Sequence, residues 1–295
     1  IKGGRFRQSS PPLSTPADYA HELWETAGYF HTQGIAEDTK ALSGGILNDE
    51  EFLAQARTVL DENLKLFDLE LERFRAGVLF FYFSSLDQNA HMFWRAFDAR
   101  HPAHSRELAA HHAAVLEELY QEMDRVLGKV VAKLDENTTL LVLSDHGFAP
   151  YYRSFNLNTW LLENGYAARA PGVPAGAEFL VGVDWTRTRT YGLGLNSLYL
   201  NLRGRERQGI VQPGAEAEAL LAEIAGKLLA LRDPATGRAV ITRVDKASEV
   251  YSGAHVQHAP DLVIGYNRGY RAGWGTVRGG FPRQVLEDNR EPAFL

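Results

Sequence analysis

The sequence contains no cysteine among its 295 residues. Disulfide bonds, zinc–thiolate sites and thiol nucleophiles are therefore excluded, although the compartment is not decided. No apolar run approaches the roughly 20 residues that a membrane-spanning helix needs. A basic excess is also lacking, because the formal net charge is −6, and we expect no nucleic-acid partner. Apolar residues make up 45% of the chain, which is enough for an ordinary globular core.

The beginning of the chain carries little structural signal. The first residue is Ile1 rather than Met, and no targeting segment is visible. We therefore expect a processed or partial chain. Residues 1–16 are polar and rich in Ser and Pro, which predicts a linker or extended lead-in, and residues 17–295 are assigned to one domain.

Apolar periodicity predicts an alternation of helices and strands after the lead-in. Helices are predicted over 18–30, 48–74, 105–134, 156–164 and 213–231, and strands over 78–83, 140–143, 191–202, 239–244 and 261–264. From Arg271 onward we expect irregular structure. A strand, a long helix and a second strand in succession indicate a right-handed crossover between parallel strands. The predicted fold class is α/β, with a mostly parallel sheet flanked by helices.

Four aliphatic residues, 140–143, are followed directly by Ser144, Asp145, His146 and Gly147. The run is typical of a buried strand in a parallel sheet, and ligands bind just beyond the carboxyl ends of such strands. Adjacent Asp and His side chains can both ligate a divalent metal if the backbone turns sharply, and glycine permits such a turn.

A second pair of candidate ligands follows the predicted strand at 78–83. Asp87 and His91 are four residues apart, which places both on one face if a helix begins after Phe83. Carboxylate oxygen together with imidazole nitrogen suits zinc, manganese or iron rather than calcium. Taken singly, each motif also fits a helix cap or a surface histidine. Together they predict a metal site, because both follow strands expected to be neighbours.

These two stretches resemble the metal-binding motifs of the alkaline phosphatase superfamily, and most closely its type I phosphodiesterase and nucleotide pyrophosphatase branch. The order of the motifs and the spacing between them also match. The resemblance implies an alkaline-phosphatase-like catalytic domain that holds two divalent metal ions, with zinc expected first and manganese or iron as alternatives. It assigns Asp87 and His91 to one ion and Asp145 and His146 to the other.

The resemblance also implies a nucleophile that is not evident in the sequence. The branch places a Thr or Ser nucleophile and a first acidic ligand near the start of its catalytic domain, and nothing before Asp87 matches that pattern. We therefore expect the front part of the domain, with the nucleophile, to lie outside this chain. A third histidine ligand is expected near the end, and His255 and His258 are weak candidates for it.

The function implied by the resemblance is metal-dependent hydrolysis of a small-molecule phosphate ester, most closely a phosphodiester or nucleotide pyrophosphate, by two-metal in-line displacement. Two alternatives remain open: a non-catalytic metal- or ligand-binding module, and an enzyme like cofactor-independent phosphoglycerate mutase. The resemblance alone favours an extracytoplasmic location. No pattern in the sequence indicates an oligomeric state or a particular substrate.

Overall fold

The computed structural model describes residues 12–174 and 176–290, and the predicted lead-in therefore falls largely outside the described residues. The chain divides into two compact units. Within the described residues, the first unit consists of 12–99 and 104–148, and the second consists of 100–103 and 149–290. Among the described residues, no helix is long and apolar enough to cross a membrane.

The regular structure described in the first unit is helical. Its helices are α1 (Tyr19–Ala27), α2 (Thr39–Ser43), α3 (Asp49–Arg73), α4 (Ser85–Phe97), α5 (Arg106–His112) and α6 (Val115–Val131). The 25-residue helix α3 begins with a capping box, in which the Asn48 side chain accepts from the Glu51 amide and the Glu51 side chain accepts from the Asn48 amide. The single helix predicted over 105–134 is instead two helices, with a turn between α5 and α6.

Two apolar clusters form the core of the first unit. One joins α3 to α4 through Phe52 and Phe93, whose ring centroids lie 6.0 Å apart, and includes Leu116 of α6. The other joins α3 to α6 through Phe67 and Val126. The buried face of α4 thus holds this helix against the core of the first unit.

The strand predicted at 78–83 was wrong, since the described residues show an extended segment there without strand pairing. The exposure of its side chains alternates, as in a strand with one covered face. Phe81 and Phe83 pack against Phe67 with centroid distances of 5.3 and 5.4 Å, whereas Val78 and Phe80 are 92% and 76% exposed. The apolar run predicted a strand, and the segment is extended, but the run could not specify a hydrogen-bonding partner or which side chains would be covered.

The strand predicted at 140–143 was also wrong. These residues are extended without strand pairing, and Leu141, Val142 and Leu143 are each about three-quarters exposed, at 77%, 74% and 75%. An apolar run indicates a preference for burial, but a strand also needs a neighbouring strand to satisfy its backbone groups. No such neighbour is present among the described residues of the first unit.

The second unit contains two small sheets and several helices. Its elements are β1 (Arg153–Phe155), α7 (Leu157–Glu163), β2 (Thr190–Gly192), β3 (Ser197–Leu200), α8 (Ala215–Ala230), β4 (Ile241–Lys246), α9 (Ala247–Val250), β5 (Leu262–Tyr266), β6 (Tyr270–Ala272), α10 (Trp274–Val277) and β7 (Leu286–Asp288). The strand orders are β6-β1-β7 and β2-β3-β5-β4. These elements also correct the expectation of irregular structure after Arg271.

Pairing in these sheets contradicts the prediction of a mostly parallel sheet. Among the described strands β1 and β6 pair in parallel, whereas the pairs β1–β7, β2–β3, β3–β5 and β4–β5 are antiparallel. The predicted strand segments near 191–202, 239–244 and 261–264 correspond to β2 to β5. Their alternating burial, as in β3, is typical of an antiparallel sheet with one covered face. The chain thus has α/β content with small mixed and antiparallel sheets.

Candidate metal centre

Helix α4 places the first pair of predicted ligands on one face. It begins directly after the extended segment at 78–83, and its N-cap is Ser84, so Asp87 lies in the first turn and is not the cap residue. His91 follows one turn later, and its Nε2 atom lies 3.4 Å from Asp87 Oδ1. The side chains of Asp87 and His91 therefore lie close together, as predicted, because residues i and i+4 share a helix face.

The loop after residue 143 brings His146 to the same point. Its Nε2 atom also lies 3.4 Å from Asp87 Oδ1. Asp87, His91 and His146 each offer a ligand atom, and these atoms all lie within 4.8 Å of one another. The chain bends at Asp145, and Gly147 does not use the left-handed conformation that only glycine adopts readily.

Asp145, the fourth predicted ligand, is placed differently. Its Oδ2 atom lies 3.8 Å from His146 Nε2, and its side chain is 84% exposed, against 24% for Asp87. The geometry thus groups His146 with Asp87 and His91, whereas the resemblance pairs it with Asp145. The four side chains lie close together, but only three of them form the compact cluster among the described residues.

The surroundings of Asp87 fit a metal ligand. Its Oδ1 atom is buried and has no hydrogen-bond partner in the structure, while Oδ2 accepts a hydrogen bond of 2.7 Å from Gln88 Nε2. Ligand atoms that share a tetrahedral zinc ion at about 2.0–2.1 Å lie about 3.3–3.4 Å apart. The two distances of 3.4 Å from Asp87 Oδ1 to the imidazoles match that separation and exceed an ordinary hydrogen bond.

The second nitrogen of His146 also fits this role. Its Nδ1 atom lies 3.2 Å from the carbonyl oxygen of Gly147, to which it can donate. A proton held on Nδ1 leaves Nε2 with a lone pair directed toward the cluster, which is the arrangement that metal-bound histidines adopt. The Ser144 hydroxyl donates to the carbonyl of His146 at 2.6 Å and supports the loop.

Two aromatic residues that the sequence did not single out complete the surroundings of the histidines. The Phe148 ring lies 4.9 Å from the His91 ring and 5.5 Å from the His146 ring, and it stacks on Trp94 at 6.1 Å. Trp94 lies three residues after His91 on α4 and therefore on the same side of the helix. Phe148 directly follows the Asp-His-Gly motif, and this adjacency is the sequence feature that could have identified it.

A buried carboxylate lies at the start of α4. Glu37 is 4% exposed and accepts hydrogen bonds from the hydroxyls of Ser84, at 3.0 and 3.1 Å, and Ser85, at 2.8 Å.

Tyr82, two residues before the N-cap of α4, lies near several carboxylates. Burial raises the pKa of Tyr82, and the charges of Asp87, Asp145 and Glu37 raise it further. Tyr82 and Ser84 also line a cavity of about 160 Å³ beside α3.

The other candidates from the sequence do not join this cluster. His255 and His258 belong to the second unit, where their rings stack at 6.2 Å. Arg205 also lies in the second unit, where it donates to Asp261 and Glu206, and these hydrogen bonds raise its pKa above the usual range. It therefore forms a charged turn with its neighbours.

The comparison with protein families decides the identity at the family level. The family model described as Type I phosphodiesterase / nucleotide pyrophosphatase matches residues 10–274, which is most of the chain. The chain belongs to the type I phosphodiesterase/nucleotide pyrophosphatase family. This family is part of the alkaline phosphatase superfamily, and its members are hydrolases of small phosphate esters. No curated protein and no solved structure matches the chain at a significant level.

Proposed function

We propose that this member of the family is a metal-dependent hydrolase of phosphodiesters or nucleotide pyrophosphates. The family supports the hydrolase activity and the class of substrate. Metal dependence is supported by one observation above all, the buried Asp87 Oδ1 atom without a hydrogen-bond partner at 3.4 Å from two imidazole nitrogens. Burial of such an oxygen is costly unless a cation or a hydrogen-bond donor compensates it.

The proposed first ion is held by Asp87, His91 and His146. One carboxylate oxygen and two imidazole nitrogens suit zinc, with manganese or iron as alternatives. Two-metal in-line displacement requires a second ion, and Asp145 is the remaining acidic candidate ligand for it. Because its side chain is 84% exposed, we propose that a second ion depends on ligands other than these four residues.

The chain's own residues orient the centre in this proposal. A bound ion would supply positive charge to phosphoryl oxygens as negative charge develops on them. Gln88 holds Oδ2 of Asp87, which leaves Oδ1 for the cluster. With its proton on Nδ1, His146 donates to the carbonyl oxygen of Gly147 at 3.2 Å, and Nε2 is then left for the cluster.

None of the three nearby serines is a suitable nucleophile in this arrangement. Ser84 and Ser85 are 3% and 0% exposed, and their hydroxyls donate to Glu37. The hydroxyl of Ser144 donates to the carbonyl of His146. An attacking hydroxyl must lie close to phosphorus and in line with the leaving group. Among the described residues before Asp87, no strand precedes a Thr or Ser at a helix start. These observations support our proposal that the nucleophile lies outside these 295 residues.

The proposal is tested by hydrolysis of bis(4-nitrophenyl) phosphate with added zinc or manganese. The 295-residue chain is compared with a polypeptide extended upstream, each as wild type and as Asp87→Asn. Exposed Asp124 on α6 provides the control Asp124→Asn. We expect metal-dependent turnover in the extended polypeptide, at least about a hundredfold lower in Asp87→Asn, because metal-ion charge is worth several kcal/mol in the transition state.

Two results would contradict this proposal. Equal, metal-dependent turnover by the two polypeptides would show that the nucleophile lies within the 295 residues, and Ser84, Ser85 and Ser144 would then be changed to Ala first. Full activity in the presence of a chelator, or in Asp87→Asn, would overturn the metal dependence.

A non-catalytic metal-binding module is the second candidate function. The engagement of all three nearby serines in hydrogen bonds favours it. It predicts zinc binding without turnover in both polypeptides, so the same experiment separates the two candidates.

A further inference from the structure

The Phe148 ring is the common neighbour of both histidines in the candidate metal centre. Its centroid lies 4.9 Å from that of His91 with an interplanar angle of 66°, and 5.5 Å from that of His146 with an angle of 63°. Both contacts are edge-to-face arrangements, which aromatic rings prefer over direct face-to-face stacking. One side chain thus contacts a histidine on α4 and a histidine on the loop after residue 143.

Trp94 fixes Phe148 from the helix side. The two rings stack at 6.1 Å with an interplanar angle of 14°. Both pack against the apolar cluster that contains Phe52 and Phe93. Since Trp94 and His91 are both on α4, the stack attaches the loop to the same helix that carries Asp87.

Of the two histidines, His146 is less restricted by its surroundings than His91. It lies in a loop without regular secondary structure, and its side chain is 48% exposed, whereas that of His91 is 17% exposed. An imidazole about half in solvent has several accessible rotamers, and ordering it costs free energy. Contact with a ring that is itself packed on the core restricts those rotamers before any ion binds.

The contacts also have an electrostatic consequence. An imidazole that coordinates a cation loses electron density, and its ring hydrogens become more positive. The face of a phenyl ring carries negative charge and attracts positive groups. Phe148 is therefore expected to favour the coordinating form of whichever histidine presents an edge to its face.

We propose that Phe148 is the positioning residue of this centre and that it holds His91 and His146 in the orientation that presents both Nε2 atoms to Asp87. The proposal rests on the proposed metal binding and adds to it a determinant outside the ligand set. The role requires an aromatic ring, so tyrosine should replace it and an aliphatic side chain should not.

The test compares metal binding by the wild type, Phe148→Leu, Phe148→Tyr and Phe81→Leu. Phe81 is a matched control, because it is also partly buried in the first unit and contacts two aromatic rings, Phe67 and Phe83. Zinc affinity is measured by competition with a chromophoric chelator, and the geometry of bound cobalt(II) by its visible absorption. Thermal unfolding with chelator present measures folding without metal.

We expect Phe148→Leu to weaken zinc binding by about tenfold or more, as the loss of groups that orient metal ligands does. Its cobalt spectrum should change in shape or intensity. Phe148→Tyr and Phe81→Leu should retain the wild-type affinity and spectrum. If Phe148→Leu does not fold, Phe148→Met replaces it, because methionine is also not aromatic and its flexible side chain fills irregular gaps in a core.

Wild-type affinity and spectrum in Phe148→Leu would overturn this inference and leave the proposed metal binding intact. Equal losses in Phe81→Leu would also overturn it, since the effect would then be a general loss of packing. If the wild type itself binds neither ion, the proposed function fails and this inference fails with it.

Discussion

The two aspartates of the candidate metal centre lie in different surroundings. Asp87 is on a packed helix with its side chain 24% exposed, and its Oδ1 atom is buried without a hydrogen-bond partner. Asp145 is in a loop with its side chain 84% exposed. A buried carboxylate oxygen has more to gain from a cation than an exposed one, because water already solvates the latter.

These surroundings predict unequal effects of the two substitutions on zinc affinity. We expect Asp87→Asn to weaken binding by more than about a hundredfold, since even residues that only orient ligands contribute 10–100-fold. Asp145→Asn should weaken binding of the first ion by less than about tenfold. Competition titration measures both. An equally large loss in Asp145→Asn would favour the pairing of His146 with Asp145 that the resemblance implies.

Helix α4 was largely predictable because its information is local. The spacing of Asp87 and His91, the start after Phe83 and the shared face all follow from neighbours in sequence. Glu37 was not predictable, since it lies 47 residues from Ser84 and belongs to no motif. The strands at 78–83 and 140–143 failed for a similar reason, because pairing depends on a distant partner that an apolar run does not specify.

The Glu37 contact predicts a dependence of helix α4 on a distant loop residue. Glu37→Ala removes the acceptor for two hydroxyls that are 3% and 0% exposed, those of Ser84 and Ser85. Leaving such groups unsatisfied should lower the free energy of unfolding by about 1–3 kcal/mol. Urea unfolding followed by circular dichroism measures it, with exposed Glu136→Ala as the control. Equal stability of both variants and the wild type would contradict a structural role for Glu37.

The two units of the chain differ in how completely their apolar residues are covered. In the second unit one cluster joins both sheets to α7 and α8, and it contains Phe155, Leu198, Ile224 and Ile264, each at most 1% exposed. In the first unit the apolar residues at 78–83 and 141–143 are partly or largely exposed. Such exposure in an extended segment favours association with other apolar surfaces.

This difference predicts that residues 149–290 fold without the rest of the chain, because their core is formed within the unit. The four residues 100–103, which cluster with that unit, contribute the contact of Arg100 with the Tyr152 ring at 5.3 Å, and a single cation–π contact is worth only about 0.5–1 kcal/mol at an exposed site. We expect cooperative urea unfolding of this fragment and a near-ultraviolet circular dichroism signal from its packed Trp160. Residues 12–148 alone should bind the dye ANS more strongly, and replacing Phe80 by Ser should reduce that binding. A non-cooperative transition in 149–290 would show that the second unit depends on the first, which would support the assignment of residues 17–295 to one domain.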